Sequence, residues 1–157
     1  MRIQHPPVAK AEMLIRKPVA EVFEAFVNPD ITSKFWFTKG SGRLESGKEI
    51  RWDWEMYGHS AQVSVKSIEE NRRILIEWSG HETPTTVEWI FTARADDTTF
   101  VSITNTGFSG DGDKIVEQAL ELTEGFALVL AGLKAFLEHN IILNLVPDRF
   151  PDALKSH

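Results

Sequence analysis

The stretch DKIVEQALELTEGFALVLAGLKAFLEH, residues 113–139, decides how the rest of this chain is read. Ile115, Ala119, Leu122, Phe126, Val129, Leu133 and Phe136 recur every three or four residues, which sets them on one stripe of an α-helix. Leu130 and Leu137 widen the stripe, as a helix packed on a broad sheet requires. Lys114, Glu117, Glu121, Glu124, Lys134 and Glu138 fall on the other face and read as solvated. Asp111 and Asp113 stand at the expected N-terminus, where a carboxylate caps free N–H groups and meets the positive end of the helix dipole.

Gly125 and Gly132 interrupt this pattern, each costing about 1 kcal/mol relative to alanine in a helix interior. Seven residues apart, they lie nearly on one side of the helix. Two readings stand: close packing against the sheet or a loop, or missing side chains that leave room for a ligand.

Upstream the period changes from helical to two-residue. Residues 8–15 alternate loosely and are expected as an edge strand. Pro18 opens a short amphipathic helix over 18–27, carried by Val19, Val22, Phe23, Phe26 and Val27, and Asn28-Pro29-Asp30 ends it and starts a second over 29–35. Gly40, Gly42 and Gly47 mark turns around a short strand near 42–45. Residues 48–56 alternate clearly, with Ile50, Trp52, Trp54 and Met56 against Glu49, Arg51, Asp53 and Glu55. Further strands are expected at 59–68, 73–79, 85–95 and 98–106, separated by short polar turns. A run of strands joined in this way makes an antiparallel meander with one greasy face, and the long helix is the element large enough to cover it. The fold class is therefore α+β: a curved antiparallel sheet of six to seven strands wrapped around a long C-terminal helix, with two short helices after the first strand. A single domain is expected, with its core over 8–140 and a tail over 141–157.

Composition narrows the function. A chain of 157 residues, 42% hydrophobic and 25% charged, is an ordinary globular composition with length enough for a real core. Net charge −6 and a pI near 5.4 disfavour nucleic acid and anionic membrane surfaces as partners. The absence of cysteine excludes disulfides, thiolate metal ligands and a cysteine nucleophile. Residues 1–10 hold no apolar core of signal-peptide length and no segment approaches a membrane span, so a cytoplasmic location is expected. Five tryptophans and ten phenylalanines against one tyrosine supply large rings that fill a core or line a greasy cavity.

The order of these elements resembles the START-related helix-grip (SRPBCC) superfamily, and within it the domains homologous to the activator of heat-shock-protein-90 ATPase. The resemblance rests on Val19-Ala20-Glu21-Val22-Phe23, Phe35-Trp36-Phe37 before a glycine loop, and Trp78 closing a strand. Thr106-Gly107-Phe108 before the helix, Gly125-Phe126 and Gly132-Leu133-Lys134 complete it, over roughly residues 8–140. It implies a cavity between sheet and helix, and a superfamily whose members bind lipids, hormones and polyketides or catalyse cyclisation or hydration. It also implies a possible chaperone partner, and with it a link to stress response. Fold alone does not choose among these.

The candidate ligand-binding residues follow from the inner faces of sheet and helix: Trp52, Trp54, Trp78, Trp89, Phe91, Asn105, Phe126, Val129, Leu130 and Leu133. For each ring the alternative is plain core filling. Asn105 either fixes a ligand carbonyl or hydroxyl or satisfies backbone groups at its strand end. No catalytic set emerges. Asp53 and Glu55 share the wet face with Arg51 and Glu49, an ion-pair surface rather than a carboxylate dyad. His5, His59, His81, His139 and His157 lack metal-ligand spacing, and no metal or other cofactor is expected. Neither a phosphate-cradling loop nor a nucleophile elbow is present. The expected function is binding of a small hydrophobic or aromatic molecule. A chaperone ATPase-activating module and a polyketide cyclase-like or hydrolase-like enzyme are the alternatives. Ile141, Ile142, Leu143, Leu145 and Val146 in the tail are expected either to pack beside the first short helices or to form a homodimer contact, and Pro147, Pro151 and Asp152 are expected to break regular structure after them.

Overall fold

The computed structural model describes residues 5–79 and 83–153. The elements run β1 (Ala9–Ile15), α1 (Val19–Val27), α2 (Pro29–Thr32), β2 (Lys39–Gly40), β3 (Glu49–Trp54), β4 (His59–Glu69), β5 (Arg73–Trp78), β6 (Thr85–Ala93), β7 (Thr99–Thr106), α3 (Gly112–His139) and α4 (Leu145–Arg149). The strands form one seven-stranded sheet in the order β1-β7-β6-β5-β4-β3-β2, each pair antiparallel. Only β1 departs from a simple meander, pairing with β7 at the edge away from β2. The curved sheet grips α3, the helix-grip arrangement.

Alternation decides which residues meet α3. Ile50, Trp52 and Trp54 on β3, Ala61, Val63 and Val65 on β4, and Val87, Trp89 and Phe91 on β6 are all buried, while intervening residues such as Ile90 face out. Against them α3 buries Ala119, Phe126, Val129, Leu130 and Leu133. Asp111 caps α3 as expected, its carboxylate accepting from the Lys114 N–H at 3.0 Å. At the other end Asn140 takes the left-handed conformation (φ 54°), a common helix stop. The Lys134 ammonium donates to the Leu14 carbonyl at 2.8 Å, and the Glu138 carboxylate accepts from Lys134 and from the Arg16 N–H, which fastens the end of α3 to β1.

Three boundaries differ from expectation. The short strand is Lys39–Gly40, opposite Asp53 and Trp52, and not residues 42–45. That second stretch is a loop held to α1, with the Leu44 N–H donating to the Val27 carbonyl at 3.0 Å. β3 stops at Trp54 because Glu55–Tyr57 coil into a 3₁₀ turn, which takes Met56 off the strand. In the tail Pro147 lies inside α4 and does not break it, since the first-turn N–H groups of a helix are unbonded in any case.

Candidate functional site

Between the open end of the sheet and the N-terminal half of α3 lies a cleft of about 570 Å³. β3 gives Trp54 and β4 gives His59 and Ala61. β5 contributes Trp78, with Ser79 just after it, and β6 begins with Thr85. Leu122, Gly125 and Leu128 of α3 form the opposite wall, with Glu121 and Glu124 at its edge. Trp36 enters from the irregular segment after α2, and Phe108 from the turn before α3. The size and the largely apolar walls suit a small organic molecule.

The rings of the cleft are braced from behind. Trp36 packs against Trp54 and Trp78 with ring centroids 6.0 and 5.9 Å apart, and Phe126 stacks on Trp78 at 6.0 Å. The Trp78 indole N–H donates to the Thr85 hydroxyl oxygen at 3.1 Å, as does the Asn105 amide at 3.0 Å. Asn105 is fully buried and also donates to the Thr86 carbonyl at 2.8 Å.

The C-terminal segment closes one side. Val146, Arg149 and Phe150 line the cleft. The Tyr57 hydroxyl donates to the Val146 carbonyl, the Phe150 ring meets Tyr57 edge-on at 6.0 Å, and the Arg149 guanidinium lies 4.2 Å over Phe150 while its Nε bonds the Glu124 carboxylate at 2.6 Å. Burial pushes the Tyr57 phenol above its ordinary value. The Arg149–Glu124 pair is roughly half exposed on both sides, so it adds at most about 1 kcal/mol. The same segment passes Phe35–Thr38, next to α2, so the tail does pack on its own fold, although Ile141, Ile142 and Leu143 stay 49%, 49% and 45% exposed.

Of the residues expected to touch a ligand, Trp54 and Trp78 line this cleft. Trp52, Trp89, Phe91, Phe126, Val129, Leu130 and Leu133 lie in the packed core between sheet and helix. Trp52 is covered by Phe37, stacked on it at 4.9 Å, while Trp89 lies under Phe26 and Trp36. Asn105 sits behind the wall and bonds Thr85. Trp36, Tyr57, Phe108 and Phe150 line the cleft without having been expected there; an aromatic triplet at 35–37 in no regular period was the signal available for Trp36. The glycines separate too. A Cβ at Gly132 would lie 3.2 Å from Phe35 Cβ, whereas one at Gly125 meets nothing within 4 Å.

Among the described residues no His, Asp and Glu side chains group as a metal site, and no helix is long and apolar enough to cross a membrane. His81 and His157 lie outside the described residues.

A comparison with curated proteins gives no match. Among solved structures, protein SSP2350 from Staphylococcus saprophyticus is 29% identical, covering 87% of this chain and 95% of that one, with a TM-score of 0.74. DynU16, a protein in the dynemicin biosynthetic locus, is 22% identical over 87% of this chain and 49% of that one, with a TM-score of 0.75. Aha1 from Colwellia psychrerythraea, solved as a dimer, is 18% identical over 84% of this chain and 96% of that one, with a TM-score of 0.72. The sequence profile of one family matches residues 16–138, and on that span and this helix-grip fold the chain belongs to the Activator of Hsp90 ATPase homolog 1-like protein family.

Proposed function

We propose that this protein binds a small hydrophobic or aromatic molecule in the cleft between the sheet and α3. The observation that carries the reading is the open space at Gly125, facing a wall of Trp36, Trp54 and Trp78. A helix glycine that touches nothing gives up about 1 kcal/mol of helix propensity without any packing return, and room for a ligand accounts for that loss. Native mass spectrometry of protein produced in its own host, followed by tryptophan-quenching titrations with lipids and aromatic polyketides, tests it. Co-purified or added ligand is expected at one per chain, and Gly125→Leu is expected to abolish binding in a folded protein. Binding that survives Gly125→Leu unchanged would place the ligand elsewhere.

A second reading, modulation of a chaperone ATPase, is favoured by the family's own description. Saturating protein would change the ATPase rate of the host's heat-shock-protein-90 homologue; an unchanged rate removes this reading. Homodimerisation through the exposed Ile141, Ile142 and Leu143 is the corresponding proposal for self-association, and sedimentation of wild type against Ile142→Glu decides it.

A further inference from the structure

We infer that the Thr85 hydroxyl is the buried hydrogen-bond donor of the cleft, and that the ligand is a neutral aromatic molecule presenting a carbonyl-type oxygen at its buried end. This rests on the ligand-binding reading above and specifies it. A threonine hydroxyl has two lone pairs and one proton. Both lone pairs of Thr85 are taken, by the Trp78 indole N–H at 3.1 Å and by the Asn105 amide at 3.0 Å. Neither donor can turn into an acceptor. An indole nitrogen only donates, and the Asn105 amide nitrogen is fixed because its other proton goes to the Thr86 carbonyl at 2.8 Å. The proton is therefore the one function Thr85 has left. Among the described residues no acceptor takes it, and Thr85 lines the cleft while only 8% exposed.

The neighbouring polar groups leave the same asymmetry. Trp78 and Tyr57 have already donated, to Thr85 and to the Val146 carbonyl. The charged side chains that line the cleft are Glu121, Glu124 and Arg149, and Arg149 is bonded to Glu124. With Arg149 offset by Glu124, Glu121 leaves the lining net negative, in a chain of net charge −6, and this disfavours an anion. A ligand hydroxyl turned inward could accept the Thr85 proton but brings one of its own that needs a further acceptor, whereas an inward carbonyl oxygen completes the pairing by itself.

The test is a cycle with two ligands of one shape, acetylnaphthalene and ethylnaphthalene, against wild type, Thr85→Val and Thr85→Ser. Taking the ratio of the two affinities cancels the difference in ligand hydration. The ketone-to-hydrocarbon ratio is expected to fall about five- to tenfold in Thr85→Val and to hold in Thr85→Ser, the size of one lost hydrogen bond. Because Thr85→Val strands two buried donors and destabilises the fold, the carbonyl stretch of isotope-labelled acetylnaphthalene is read on wild type as well. It is expected below its position in an alkane solvent. A ratio indifferent to Thr85→Val, or a stretch at the alkane position, overturns the donor while the binding cleft stands. Failure of both ligands to bind overturns the cleft and the donor together.

Discussion

Replacing the two glycines of α3 one at a time by alanine separates the wall of the cleft from the packed seam of the helix. At Gly125 the new methyl meets nothing within 4 Å, so the helix gains propensity without a clash, about 1 kcal/mol. For a chain of this size that raises the melting temperature by roughly 2–4 °C. At Gly132 the new methyl lies 3.2 Å from Phe35 Cβ and 3.4 Å from the Phe35 carbonyl oxygen. Neither atom is the free end of a flexible side chain, so the backbone at Phe35 must move. Overpacking of this kind costs typically about 1–3 kcal/mol, against the same propensity gain of about 1. Gly132→Ala is therefore expected between neutral and about 2 kcal/mol destabilised, and the two variants should differ by about 1–3 kcal/mol. Urea denaturation of both proteins in one buffer measures the gap. Equal stabilities, or Gly125→Ala as the weaker protein, would refute the reasoning.

Trp36 lies among Trp52, Trp54, Trp78 and Trp89, and Trp36→Ala should cost about 3–5 kcal/mol by the same denaturation; a loss under about 1 would contradict its place in the core. Tyr57→Phe removes the donor to the Val146 carbonyl and should weaken the hold on α4 by about 1 kcal/mol, seen as faster amide exchange over residues 145–149, with unchanged exchange as the contrary result. Burial raises the Glu138 carboxyl, but the Arg16 N–H and the Lys134 ammonium outweigh it and hold the group below its ordinary 4.5. A depressed folded-state value means stability that is present above the ordinary value and lost as pH falls through the folded one. The acid side of the stability curve, below about pH 4.5, should thus be shallower in Glu138→Gln than in wild type, and parallel curves would exclude the linkage.

The strands and the long helix were legible because their periods are carried by large apolar residues. Trp52, Trp54, Trp89 and Phe91 all turn inward as alternation requires. Alternation gives the side of the sheet a residue faces, and nothing about its depth along the strand. Trp52 and Trp54 share a face, yet Trp54 reaches the cleft while Phe37 and Trp36 cover Trp52. That difference is set by where residues 35–37 fold back, a tertiary fact with no local pattern. The two α3 glycines illustrate the same point. They are seven residues apart on nearly one side of the helix, and only the position of Phe35 makes one a packing seam and the other a gap. Thr85 was invisible for a related reason: it begins a strand without notable context, and its role comes from Trp78 opposite it and Asn105 on the next strand. The tail misled through Pro147, which marks a break in mid-helix but sits comfortably in a first turn.

The central claim is that ligand lies against Trp36, Trp54 and Trp78 and not against the deeper rings. Two-dimensional ¹H–¹⁵N NMR with assigned indole N–H signals tests it in one titration with acetylnaphthalene. Trp36, Trp54 and Trp78 should shift strongly in a saturable way, while Trp52 and Trp89, 1% and 0% exposed, move little. Strong shifts at Trp52 and Trp89 with the other three still, or no saturable shift at any of the five, would contradict the account.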